Sequence, residues 1–112
     1  MSTGEVFKQF YAKLVKTLPM NDSGFLAELY SNDLLPGNLK DQIKAKETTA
    51  DKAMCFLDGK IEPDISIGDF KSYNKLLDIM EEDENDTLKG LAEKIKTDLK
   101  EKPTTNTDNT EG

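Results

Sequence analysis

The chain has no histidine, no arginine, no tryptophan and a single cysteine. Each absence removes a class of chemistry. Without histidine, the commonest general base and metal ligand is missing. Cys-His and Ser-His-Asp arrangements are therefore excluded. One cysteine excludes an internal disulfide and makes a reducing compartment, the cytoplasm, the expected one. Cys55, between Met54 and Phe56, reads as a small buried hydrophobe rather than a reactive thiol. Glycine-rich phosphate loops are also absent, since Gly37, Gly59 and Gly68 stand singly. These readings lead us to expect no enzyme, no cofactor and no metal.

Long apolar runs are lacking too, so we expect neither a signal peptide nor a membrane span. Asn21-Asp22-Ser23 and Asn85-Asp86-Thr87 match the glycosylation pattern but read as helix caps. Fifteen lysines stand against 22 acids, a net charge of -7. That balance opposes binding to nucleic acid or to an anionic membrane. The 112 residues suffice for one domain with a real core.

What is present is a rhythm of six short apolar stripes at helical spacing, each bounded by a stop or cap. Phe7, Phe10, Tyr11, Leu14 and Leu18 predict a helix over 4–18. Ser2 and Glu5 form its capping box, and Pro19 ends it. Phe25, Leu26, Leu29, Tyr30 and Leu34 predict a second helix over 23–34, capped by Asp22 or Ser23. After Leu35-Pro36-Gly37 comes a short third over 38–46, with Leu39 and Ile43 inward and Asn38 as cap. Ala50, Ala53, Met54, Leu57 and Ile61 mark the fourth, capped by a threonine and weakened at Asp58-Gly59. A loop at Glu62-Pro63-Asp64 follows. The fifth begins at Ser66, with Asp69 as a second capping box, and buries Phe70, Tyr73, Leu77 and Met80. Asn85 or Asp86 caps the sixth, whose inner face is Leu88, Leu91, Ala92, Ile95 and Leu99. Residues 1–102 form the expected domain, and 103–112, polar and without apolar residues, read as a disordered tail or linker. The fold class expected is an all-α, antiparallel six-helix bundle.

Two local patterns invite functional readings. Residues 58–69 echo a calcium loop, with Asp58, Glu62, Ser66 and Asp69 near ligand positions. Lys60 stands at the third ligand, however, and Pro63 where the turn needs glycine. A calcium-responsive helical protein is the alternative function this pattern supports. The run Glu81 to Asp86 holds five acids. It reads as a solvated helix end favouring the next helix dipole, or as a docking patch for a basic partner.

Charge is segregated along the chain. Residues 1–18 carry Lys8, Lys13 and Lys16 against Glu5 alone, whereas 65–86 are strongly acidic. A domain with separate basic and acidic faces can pair head to tail with its own copies or relatives.

The order of these segments resembles the caspase recruitment domain, a branch of the death-fold superfamily, over about residues 5–102. The resemblance rests on Leu18-Pro19, Phe25 to Leu29, and Leu34-Leu35-Pro36 with Ile43. Thr48 to Ala53 running into Phe56-Leu57-Asp58 is its best local match. Phe70 to Leu77 and Leu88 to Ile95 complete it. The resemblance implies a Greek-key six-helix bundle that binds other such domains, by itself or with relatives. Such domains assemble apoptotic or innate-immune signalling complexes, often as helical filaments. It further implies a basic patch at Lys8, Lys13, Lys16 and Lys52 and an acidic one at Glu28, Asp33 and Asp41. This chain departs from the pattern in two ways. Its third helix carries Lys40, Lys44 and Lys46 around Asp41. Its basic patch has no arginine, and lysine lacks the bidentate fork, so contacts should be salt-sensitive. The death effector branch carries an Arg-x-Asp-Leu-Leu motif that a chain without arginine cannot contain.

Overall fold

A computed structural model describes residues 2–101. The expected tail at 103–112 lies outside them. Among the described residues the chain is all helical, a compact bundle of six helical rods. The elements are α1 (Thr3–Thr17), α2 (Ser23–Ser31), α3 (Gly37–Lys44), α4 (Thr49–Phe56), a π turn (Leu57–Ile61), α5 (Glu62–Ser66), α6 (Lys71–Glu82) and α7 (Asp86–Glu101). α4, the π turn and α5 run on without interruption as one rod.

Local chemistry sets most of the helix starts. Ser2 caps α1 in a reciprocal box: Glu5 N–H donates to Ser2 Oγ at 3.2 Å, and Ser2 N–H donates to Glu5 Oε1 at 2.8 Å. The hydrogen bonds from Ser2 hold the Glu5 carboxyl below its usual range. Asp22 caps α2, Thr48 caps α4, and Asn85 Oδ1 accepts from Thr87 and Leu88 at the start of α7. Leu18 leaves the helical region with ψ 124, as its place before Pro19 requires.

Two helix ends share one device. α2 stops where Asp33 turns left-handed at φ 63, with Asp33 N–H donating to Tyr30 O and Leu34 N–H to Leu29 O. α5 stops where Gly68 does the same at φ 82, with Gly68 N–H donating to Ile65 O and Asp69 N–H to Asp64 O. Both are Schellman turns, and the buried Leu29 and Leu34 supply the apolar contact in the first.

The fourth rod corrects the expected loop at Glu62-Pro63-Asp64. In an α-helix, Pro63 would crowd the carbonyl four residues back and leave it without a donor. Here the helix widens first: Glu62 N–H donates to Leu57 O, five residues back, and the carbonyls facing Pro63 shift by one. Helix then continues to Ser66. Gly59 does not end the helix. It lets α3 approach, since a Cβ there would lie 2.7 Å from Leu39 Cδ1. Ser66 is likewise no cap, for its hydroxyl donates back to Pro63 O at 2.7 Å. α6 starts at Lys71, whose N–H donates to Asp69. Asn38 lies inside α3, which starts after Pro36 with no side-chain cap.

α1 packs antiparallel to the α4–α5 rod. The seam is pinned by Asn21 to Thr49 at 2.6 Å, by Tyr11 to Asp58 at 2.9 Å, and by Gly4 against Ile65. α2 runs antiparallel to α6, α6 to α7, and α7 also covers α1. One core joins all the rods. Phe10, Leu14, Phe56, Leu57, Ile61, Tyr73, Leu76 and Ile95 are essentially inaccessible. Val6, Met20 and Ile79 join it although no stripe predicted them. Four expected members do not. Ala50, Tyr30, Met54 and Phe70 face solvent.

Tyr73 packs edge-on against Phe7 at 5.4 Å. Its hydroxyl is buried without a hydrogen-bond partner among the described residues, and burial raises its pKa. Tyr73→Phe removes an unsatisfied group, so stability should hold or rise by up to about 1 kcal/mol. A lower melting temperature would reveal a partner for the hydroxyl. Leu57→Ala, by contrast, opens a cavity behind a fully buried side chain. It should cost about 2–5 kcal/mol out of a typical domain stability of about 5–15 kcal/mol. The urea midpoint should fall with its slope unchanged.

Candidate protein-interaction surfaces

The lysines expected to form one patch are all at the surface but do not form a compact cluster. Lys8, Lys16 and Lys13 fan across about 140° of α1 at about 100° per residue. Lys8 lines a hollow between α1 and α5 with Tyr11, Asp58 and Glu62. Lys13 lies over the edge of the Phe10 ring at 5.8 Å. The pins Asn21–Thr49 and Tyr11–Asp58 put half-buried Lys52 level with the last turn of α1, whereas Lys8 is level with Asp58 and Glu62. Among the described residues, none of these four lysines is held in an ion pair, whereas Lys60 and Lys96 are.

The expected acidic set divides. Asp33 lies in the α2–α3 corner, in a hollow with Tyr30 and Pro36. Its left-handed backbone gives it a structural role in ending α2. Asp41 is exposed on α3. Glu28 alone enters a larger acidic assembly. With Asp22 it forms one wall of a groove of about 480 Å³, and Glu82, Asp83 and Glu84 form the other. Phe25 and Ile79 make the floor. The antiparallel pairing of α2 with α6 brings these acids together. Sequence reasoning found the acidic run and found Glu28, but not their meeting. The signal was tertiary: only the packing of α2 against α6 places the run beside α2.

Not every acid in the run is available. Lys96 of α7 donates to Asp78 and Glu81 of α6 at 2.6 Å each. Those two bonds raise the Lys96 pKa, and they turn Glu81 toward α7. At the opposite seam the Tyr11 hydroxyl is pushed up to about 12 by desolvation and by its bond to Asp58.

A third surface lies between α2 and α3. Leu26, Tyr30, Leu35 and Ile43 line an apolar groove of about 320 Å³, with Lys40 and Lys44 on its rim. Lys40 Nζ stacks over the Tyr30 ring at 4.4 Å, within cation–π range. Cys55 is half buried against the core.

Residues 58–69 are helical as far as Ser66, and three of their four acids already have partners. Asp58 accepts from Tyr11, Asp64 pairs with Lys60 at 3.1 Å, and Asp69 accepts from Lys71. Among the described residues no cluster of three or more metal-ligating acids or cysteines occurs. No helix of the described residues is long and apolar enough to cross a membrane. Comparison with protein families, with curated proteins and with solved structures finds no match to this chain.

Millimolar calcium should leave the melting temperature where chelator leaves it. A reversible rise would show that the helix at 58–66 reorganises to bind the ion.

Proposed function

We propose that this chain is a noncatalytic homotypic interaction domain of the caspase recruitment type. It joins copies of itself or related domains into apoptotic or innate-immune signalling complexes in the cytoplasm, as oligomers or helical filaments. The observation that carries this reading is the separation of charge on the folded surface. Among the described residues the lysines of α1 stand without ion pairs, while five carboxylates line one groove between α2 and α6. Two such surfaces on one chain are complementary between copies, and a contact between unlike surfaces extends instead of closing on itself. The six-helix architecture and the order of its helices agree with the sequence resemblance.

In the contact proposed, Lys13 and Lys16 of one copy enter the field of Glu28, Glu82 and Asp83 of the next. Phe25 and Ile79 lower the local dielectric beneath those carboxylates, which strengthens the attraction over that of fully hydrated charges. The net charge of -7 disfavours nucleic acid and anionic lipid as rival partners for the lysines.

Sedimentation velocity across concentration, at low and high salt, tests the proposal. Assembly should weaken as ionic strength shortens the screening length from about 10 Å at 0.1 M to about 3 Å at 1 M. Lys13→Glu with Lys16→Glu should abolish assembly while changing stability by no more than about 0.5 kcal/mol. Glu28→Lys with Glu82→Lys should do the same, and an equimolar mixture of the two double variants should assemble again. Undiminished assembly by the lysine variant would remove α1 from the interface.

A further inference from the structure

The corner between α5 and α6 exposes two large apolar side chains. Ile67 is 77% exposed and Phe70 is 40% exposed, although every surrounding rod has its stripe in the core. The corner is nevertheless rigid. Gly68 holds φ at 82, its N–H donates to Ile65 O at 3.0 Å, and Asp69 N–H donates to Asp64 O at 2.9 Å. Asp69, between Ile67 and Phe70 in the sequence, accepts from Lys71 N–H through Oδ1 at 3.1 Å, which fixes its carboxylate in the corner. An apolar knob that carries an acid is thus held ready, and little ordering is needed on binding.

The groove between α2 and α3 is apolar too, but its charge is of the opposite sign. Its walls are apolar and its rim carries Lys40 and Lys44. Tyr30, 54% exposed, stands at the groove with the Lys40 ammonium on its face.

We infer that the Ile67–Phe70 corner of one copy docks into the α2–α3 groove of a second copy. Ile67 and Phe70 enter between Leu26, Tyr30, Leu35 and Ile43, and Asp69 meets Lys40 and Lys44. The occupant is a second copy because knob and groove are both apolar, carry opposite charges and belong to the same chain. They are different surfaces, so every copy has one of each to offer. The inference rests on the reading of the chain as a self-assembling domain, but its contact is separate from the pairing of α1 lysines with the acidic groove. It also gives Lys40 and Lys44 a use: the basic third helix, which weakens an acidic patch there, instead recognises an acid.

The test is site-directed cross-linking of the full chain on a Cys55→Ser background, with sedimentation alongside. Ile67→Cys chains mixed with Ala27→Cys chains should form the intermolecular disulfide at least about tenfold faster than with Lys94→Cys chains. Ala27 lines the groove, and Lys94 is exposed on α7. Ile67→Ser with Phe70→Ser should weaken self-association at least about tenfold, as loss of buried anchors does, with melting unchanged. If the corner variant assembles like wild type in a lysine-dependent manner, the inference is overturned and the homotypic reading stands. If the corner variant fails to assemble but cross-linking shows no preference for Ala27, the groove assignment is overturned. A wild-type chain that stays monomeric at all concentrations overturns both.

Discussion

One additional residue in the turn at Leu57–Ile61 decides how the fourth rod, and much around it, is arranged. Glu62 N–H reaches Leu57 O rather than Asp58 O, so the helix is locally wider. Widening admits Pro63 without breaking the rod. It leaves Gly59 facing α3, where the lack of a Cβ lets Leu39 come within packing distance. It also holds Asp58 under the Tyr11 hydroxyl, the middle pin of the seam with α1. Because the rod goes on to Ser66, the chain reverses only at Gly68, and Ile67 and Phe70 are carried to the surface.

The stripes were legible where one face of a helix meets one core. Phe10, Leu14, Leu29, Leu57, Tyr73 and Ile95 were placed by periodicity alone; residue type placed the cap at Ser2 and narrowed three others to adjacent pairs, of which Asp22, Thr48 and Asn85 are the caps. Errors fell where a second principle overrode the first. Pro63 reads as a stop, and would be one in an unbroken α-helix, but the wider turn absorbs it. Ser66 and Asp69 have capping-box spacing, yet Ser66 turns back on Pro63 while Asp69 serves Lys71 alone. Tyr30 and Met54 fit helical stripes but lie uncovered at the surface, whereas Phe70 is exposed because α6 starts only at Lys71 and leaves it in the corner. Of the candidate surface, the individual charges were readable and their grouping was not. Glu28 belongs with Glu82 because α2 pairs with α6, a long-range fact to which no local pattern points.

The absence of arginine shapes what these surfaces can do. A lysine-based face binds through point charges on flexible stems, with no planar fork to fix geometry. Such contacts recruit partners quickly and release them readily in salt. Charge alone would therefore bring copies together without defining their angle. In the docking proposed, the rigid corner at Gly68 would supply what the lysines lack, since an apolar knob fits in few orientations and its burial is not screened by salt.

Two weak contacts of different kind on one chain also behave differently from a single strong one. A copy held by only one of them leaves rapidly, whereas a copy that engages both makes its second contact at a raised effective concentration. In a growing assembly the first pair forms poorly and later additions form well, which produces a concentration threshold. In the homotypic assembly proposed, that threshold would be the functional output. It depends on neither contact being strong: replacing lysine with a tighter binder would lower the threshold and allow assembly without a signal. On this view, the surface lysines and the unburied Ile67 and Phe70 are parts of one device for keeping the single chain apart until its concentration rises.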